Sequence, residues 1–228
     1  MINRIMIKND AKAALKTCYI KCVAVALVLL VSMYGFTAGK NGSADTGTAA
    51  SNTISSIPGE LIPFIVGLIG VSLIISIIVR IFLLKPLEIG CRKFFIYTYD
   101  GVQPIGIIAS PYRSNYINQV KIMFFRDLYL FLWSLLFIIP GIIKSYSYRM
   151  IPYILAEDPS VDMADAFDRS IQMMNGRKLE VFVYDLTFYG WYILSAFTFG
   201  IVGIFYLYPY KSLADARLYI GLRDGQAL

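Results

Sequence analysis

Lys144, Arg149 and Asp185 are the residues of this chain whose chemistry asks most for an explanation. Each stands in or beside a long apolar stretch, where an ionisable group is costly unless it pairs or lines a polar path. Arg149 and Asp185 have opposite charge and lie in successive apolar segments joined by a polar corner. The spacing therefore predicts an interhelical ion pair, with Lys144 as a second cation for the same acid. Such a cluster suits recognition rather than bond-making: a polar pocket for a lipid head group or a small solute. The plain structural alternative is an ion pair that only joins two helices, or side chains reaching for an interface.

Bond-making chemistry finds little support. The 228 residues include no histidine, no Gly-x-Ser-x-Gly and no phosphate-binding glycine loop. The three cysteines, Cys18, Cys22 and Cys91, are odd in number and form no Cys-x-x-Cys, which argues against a disulfide framework or a zinc site. Cys18 and Cys22 are four apart, on one helix face, and are expected to be reduced. Glu157, Asp158, Asp162 and Asp165 crowd one corner and invite a divalent cation, but helix capping and solvation account for them more simply. The expectation is no catalytic residue, no cofactor, no metal and no enzyme.

The elements that hold the cluster are legible in the hydropathy. The chain is 57% hydrophobic and 16% charged, where a soluble domain carries about 25% charged residues. Its apolar residues gather in blocks, and a helix needs about 20 residues to cross a bilayer. The predicted fold is all-α: a polytopic transmembrane helical bundle of about six spans, with an interfacial amphipathic helix, in a single domain over residues 1–228. The spans fall at 22–38, 61–84, 124–139, 142–156, 179–197 and 201–219. Residues 1–21 predict a basic N-terminal helix that Asn9 or Asp10 can cap, 40–60 a flexible outer loop, and 163–175 the interfacial helix. Gly67, Gly70, Ser72 and Ser76 have small-residue spacing that permits close helix contact, and residues 85–99 turn at Pro86.

The net charge of +6 sits beside the apolar blocks, as orientation signals do, and no basic face suggests nucleic acid. An even number of spans with both termini cytoplasmic, in the plasma membrane, satisfies nearly every basic cluster. Lys144 is the exception. Pro140-Gly141 is read as an outer hairpin turn, because one unbroken helix over 121–156 would run about 50 Å; a kinked continuous helix is the alternative. Asp162 is the expected cap of the amphipathic helix, Ala164, Phe167, Ile171 and Met174 its apolar stripe, and Asn175-Gly176 its end. One internal echo stands out. Leu83-Leu84-Lys85-Pro86-Leu87 matches Tyr206-Leu207-Tyr208-Pro209-Tyr210, and each precedes a basic, aromatic helix closing in Asp-Gly.

Ile139-Pro140-Gly141-Ile142-Ile143-Lys144-Ser145-Tyr146-Ser147-Tyr148, then Pro152-Tyr153-Ile154-Leu155-Ala156, Asp158-Pro159, Gly176, Lys178, Gly190-Trp191 and Pro209-Tyr210 resemble a family of uncharacterised bacterial integral membrane proteins, common in Gram-positive species. The corner pattern is more loosely similar to the membrane domain of glycerophosphodiester phosphodiesterases. The resemblance implies a membrane location and a helical architecture and supplies no activity. The functional expectation is a membrane interaction or assembly protein acting through membrane lipids, other membrane proteins or a second copy of itself. A small-solute or lipid transporter or channel, with a polar site between spans, is the alternative.

Overall fold

The computed structural model describes residues 4–34 and 62–225; the segment 40–60, expected to be an outer loop, lies outside them. Every regular element among the described residues is a helix. Helices α1 (Arg4–Thr17) and α2 (Tyr19–Tyr34) are followed by α3 (Ile62–Val79), which runs through a π-helical turn (Arg80–Leu84) into α4 (Lys85–Tyr97). A 3₁₀ segment (Ile105–Tyr112) leads to α5 (Tyr116–Leu136), α6 (Ile138–Ser147), α7 (Ile151–Glu157) and α8 (Met163–Met173). Then come α9 (Lys178–Leu186), α10 (Tyr189–Phe197), a second π turn (Gly203–Leu207) and α11 (Tyr208–Arg223).

The basic N-terminal helix packs into the fold. Ile7, Ala11 and Leu15, spaced four apart, form a buried seam against α11, and Asp10 pairs with Arg217 at 2.8 Å. The helix starts at Arg4, so Asn9 and Asp10 lie within it and do not cap it. It is also shorter than residues 1–21, because the chain turns by 109° between α1 and α2. Cys18, at that turn, lies with its Sγ 3.1 Å from that of Cys22. Both thiols are buried and unbridged.

The chain does not turn at Pro86. A proline inside a helix lacks the amide hydrogen and clashes with the carbonyl four residues back. Here the helix widens instead, with the Lys85 N–H bonding to the Arg80 carbonyl, five residues back. The Phe82 carbonyl, which Pro86 cannot reach with an N–H, accepts from the Tyr116 hydroxyl at 2.6 Å. The same device recurs at Pro209, also the second residue of its helix after a π turn. There the orphaned Phe205 carbonyl accepts from the Tyr19 hydroxyl at 3.0 Å. The sequence echo thus marks one repeated local structure; α7 also has a proline, Pro152, at its second position, but follows a turn at residues 148–150 instead of a π turn.

The α5–α6 junction is a hairpin, centred on Phe137 rather than on Pro140-Gly141. Phe137 is extended (φ −155°, ψ 139°). A Cβ placed on Gly141 would stand 3.0 Å from the Ser134 Cα, whereas residues seven apart in one helix are about 10 Å apart. The chain has therefore reversed, and the absence of a side chain at Gly141 permits the close crossing. Pro140 is the third residue of α6, within the first turn, where the missing N–H has no helical partner to lose.

At the corner, Asp162 caps α8 by accepting from the Ala164 N–H at 3.1 Å, and Gly176 (φ +71°) supplies the left-handed exit. Asp158 accepts from the Ser160 hydroxyl and amide, and the hydroxyl bond holds its carboxyl below the usual range. The buried stripe of α8 is Ala166, Phe167 and Ser170, continued by Met174; Ala164 is exposed. Sequence periodicity missed Ser170 because it is polar. Its hydroxyl donates to the Ser147 carbonyl at 2.7 Å and accepts the Met150 N–H at 3.2 Å, which satisfies the backbone where α6 gives way to α7.

Apolar surface remains outside this core. Among the described residues nothing lies within 4 Å of a Cβ placed on Gly67 or Gly70, so the small-residue face of α3 carries no packed helix there. Ile138 at one hairpin tip is 77% exposed and Phe199 at the next is 97% exposed. By length and composition, one described helix is apolar enough to cross a membrane, or two if the bent α1–α2 pair counts as one. The 179–197 block divides at Thr187, whose hydroxyl bonds back to the Tyr184 carbonyl at 2.6 Å, while the 201–219 block stays helical through the second π turn but carries Lys211, Asp215 and Arg217.

Candidate functional site

The three proline-led helices converge. Helix α4 packs on both α7 and α11; Tyr153 of α7 stacks on Tyr219 of α11, with ring centroids 5.2 Å apart; and the Arg92 guanidinium of α4 lies 4.6 Å above the Tyr153 ring. Beside this junction α2, α6, α9, α10 and α11 line a half-open cavity of about 580 Å³, within the size range of small-ligand sites.

Its floor is a charge-balanced tetrad. Arg149, at the α6–α7 break, reaches Asp185 of α9 through two bonds, at 2.5 and 3.1 Å, and Asp215 of α11 at 3.0 Å. Lys211, one turn before Asp215, bridges the same acids, at 2.8 Å to Asp185 and 3.2 Å to Asp215. Tyr146 donates to Asp185 at 3.2 Å and Tyr184 to Asp215 at 3.1 Å. Two cations and two anions sum to zero, and each charge has partners of opposite sign. Paired and hydrogen-bonded charge is tolerated away from bulk water. The four side chains nevertheless keep between 16% and 19% of their surface exposed, and all four line the cavity. Tyr189, Tyr192, Tyr208 and Phe182 form its aromatic walls, and Ala26, Leu29, Leu30 and Met33 of α2 an apolar side.

The structure brings Arg149 and Asp185 together, as the sequence predicts. Lys144 stands elsewhere, with its ammonium 5.1 Å from the Trp133 ring centroid and 5.8 Å from that of Tyr148. Its place in the pair is taken by Lys211, and the second acid is Asp215. Both lie at the cytoplasmic end of the predicted 201–219 span, where charge reads as an interface signal rather than as part of a site. A usable signal was the echo itself. Counting from the prolines, Glu88 and Arg92 occupy the steps that Lys211 and Asp215 occupy after Pro209. Arg92 binds Glu88 at 2.9 Å, so the two helices carry the same four-residue ion pair with the charges reversed.

The corner acids do other work. Asp158 and Asp162 hold a turn and a cap, while Glu157 accepts from Tyr219 at 2.8 Å and pairs with Arg223. No group of three or more carboxylate, thiol or imidazole side chains among the described residues is arranged to hold a metal ion.

The family described as "Protein of unknown function (DUF975)" matches residues 104–226, more than half of the chain and all of α5 to α11. No curated protein and no solved structure shows a match to the chain.

Proposed function

We propose that this chain, which belongs to the DUF975 family of proteins of unknown function, is a membrane-embedded interaction protein that acts by holding a lipid or similar amphiphile in the tetrad cavity. The observation that carries this reading is the cavity itself: a charged, balanced floor, tyrosine walls and one apolar side, in a molecule that leaves long apolar surfaces uncovered. Apolar patches of that extent belong against lipid or partner protein. In this reading six apolar arms enter the plasma membrane, namely α2, α3, α5, α6, the α9–α10 pair and the run from Ile201 into α11. Both termini face the cytoplasm, and α8 lies near the interface. The chain carries out no bond-making step and recruits lipid, other membrane proteins or a second copy of itself. A transporter or channel is the alternative, favoured by one specific feature: helices broken at residues 148–150 and at Thr187 beside a polar site, as in transporters that bind solutes at discontinuous helices.

Single cysteines introduced in an otherwise cysteine-free chain test the topology. With a membrane-impermeant maleimide, Ser43→Cys is expected to react from the outer side and Ser114→Cys only after the inner side is opened. The reverse pattern, or equal reaction at both, would overturn it. Solute flux through reconstituted vesicles would move the weight to the transporter; retained lipid without flux supports the interaction protein.

A further inference from the structure

The balance of the tetrad restricts the kind of amphiphile that fits, and this step rests on the lipid-binding reading above. A ligand with one net charge would enter a site whose fixed charges already cancel, and would leave one sign uncompensated among mostly apolar walls. An uncharged ligand would leave unused the polar edges that the four side chains turn to the cavity. A ligand with both signs can exchange pair for pair. Its anion takes the cations of Arg149 and Lys211, its cation takes Asp185 and Asp215, and the net charge stays zero throughout.

The surroundings match such a ligand at each end. Arg149 already spans two carboxylates, with a guanidinium fork whose geometry also fits the oxygens of a phosphate. The Lys211 ammonium, seated between the two acids, lies 5.3 Å from the Tyr184 ring centroid and 4.9 Å from that of Phe188. The two acids thus already hold one ammonium; Tyr184 and Phe188 are buried and do not line the cavity, so a ligand's ammonium would meet the exposed edges of Asp185 and Asp215 themselves. The volume of about 580 Å³ suits a headgroup and the start of its chains, and Leu29, Leu30 and Met33 offer the apolar side on which the chains would leave.

We infer that the cavity takes the zwitterionic headgroup of a phospholipid, with the phosphate on Arg149 and Lys211 and the ammonium against Asp185 and Asp215. Arg92 stays bound to Glu88 and serves as a wall.

The test is competition in detergent solution between three lipids that share acyl chains: phosphatidylethanolamine, phosphatidylglycerol and diacylglycerol. Bound lipid on the full chain is counted by native mass spectrometry. The zwitterionic lipid is expected to be retained about tenfold over each of the others, one charge-assisted contact's worth. Asp215→Asn, which leaves the floor one positive charge in excess, is expected to reverse the order in favour of phosphatidylglycerol, whereas Asp215→Glu keeps the wild-type order. Equal retention of the two phospholipids, or preference of the wild type for phosphatidylglycerol, overturns the headgroup inference while leaving a lipid-binding cavity in place. Retention of no lipid removes the lipid-binding reading itself. The wild-type ranking decides the matter even if the variants do not fold.

Discussion

Replacing Arg149 with Met is expected to lower the stability of the detergent-solubilised protein by about 3 kcal/mol, the usual cost of removing one partner from a buried charge network. Arg149 is the member of the tetrad that joins three parts of the fold: it sits between α6 and α7 and holds α9 through Asp185 and α11 through Asp215. Without it two carboxylates share one lysine, and the floor carries an uncompensated negative charge. Arg149→Lys should recover only part of the loss, because an ammonium cannot reproduce the two-bond grip on Asp185 together with the reach to Asp215. Arg149→Met combined with Asp215→Asn restores the balance and should be more stable than Arg149→Met alone. Thermal or denaturant unfolding of the four proteins of this cycle gives the coupling directly. Additive losses would mean that the two residues do not form one network.

Gly90→Ala is the second large effect, and its origin is steric. The 3₁₀ segment lies directly on α4 at this point. A methyl group at residue 90 would stand 2.0 Å from the Ile108 carbonyl oxygen and 2.7 Å from its carbon, both backbone atoms. No rotamer change relieves such a contact, so the segment must lift as a unit. It would take with it Gln119, which donates to the Pro111 and Ser114 carbonyls, and the tyrosines that cover the Phe82 and Leu83 carbonyls. Overpacking of a core costs about 1–3 kcal/mol where side chains can adjust; here the upper end of that range or more is expected. The predicted readout is loss of a cooperative unfolding transition, together with protease sensitivity between residues 100 and 115. The same change at Gly67, where the space is open, should leave both unaltered.

The helical class and the corner were legible in the sequence because they depend on local chemistry. Asp162 and Gly176 are recognisable as a cap and an exit from their neighbours alone, and both perform those roles. The Arg149–Asp185 pair was legible for a different reason: charge in apolar sequence must find its opposite. What was hidden depends on contacts distant in sequence. Lys211 and Asp215 looked like charges at the cytoplasmic end of a span because no local pattern says that α11 brings them to Asp185 and Arg149. Lys144 looked like a pair member because aromatic rings as a cation's partner leave no mark in the spacing. The proline positions misled in both directions. Pro86 suggested a turn where a π turn and a tyrosine hydroxyl keep the helix running, and Pro140 suggested the tip of a hairpin whose reversal lies at Phe137. The echo around Pro86 and Pro209 held more than it first offered, since it pointed to two packed helices with mirrored ion pairs that meet at the cavity.

The most direct test of the account is to extract the full chain gently from its native membrane and weigh it intact, beside a Ser212→Trp variant. Ser212 lines the cavity and is not a member of the tetrad, so the added ring fills the space and leaves the four charged side chains unsubstituted. A stoichiometric lipid is expected on the wild-type protein and is lost from the variant, with unfolding temperatures that differ little once lipid is removed. Equal lipid on both proteins, or none on either, would contradict a cavity built to hold it.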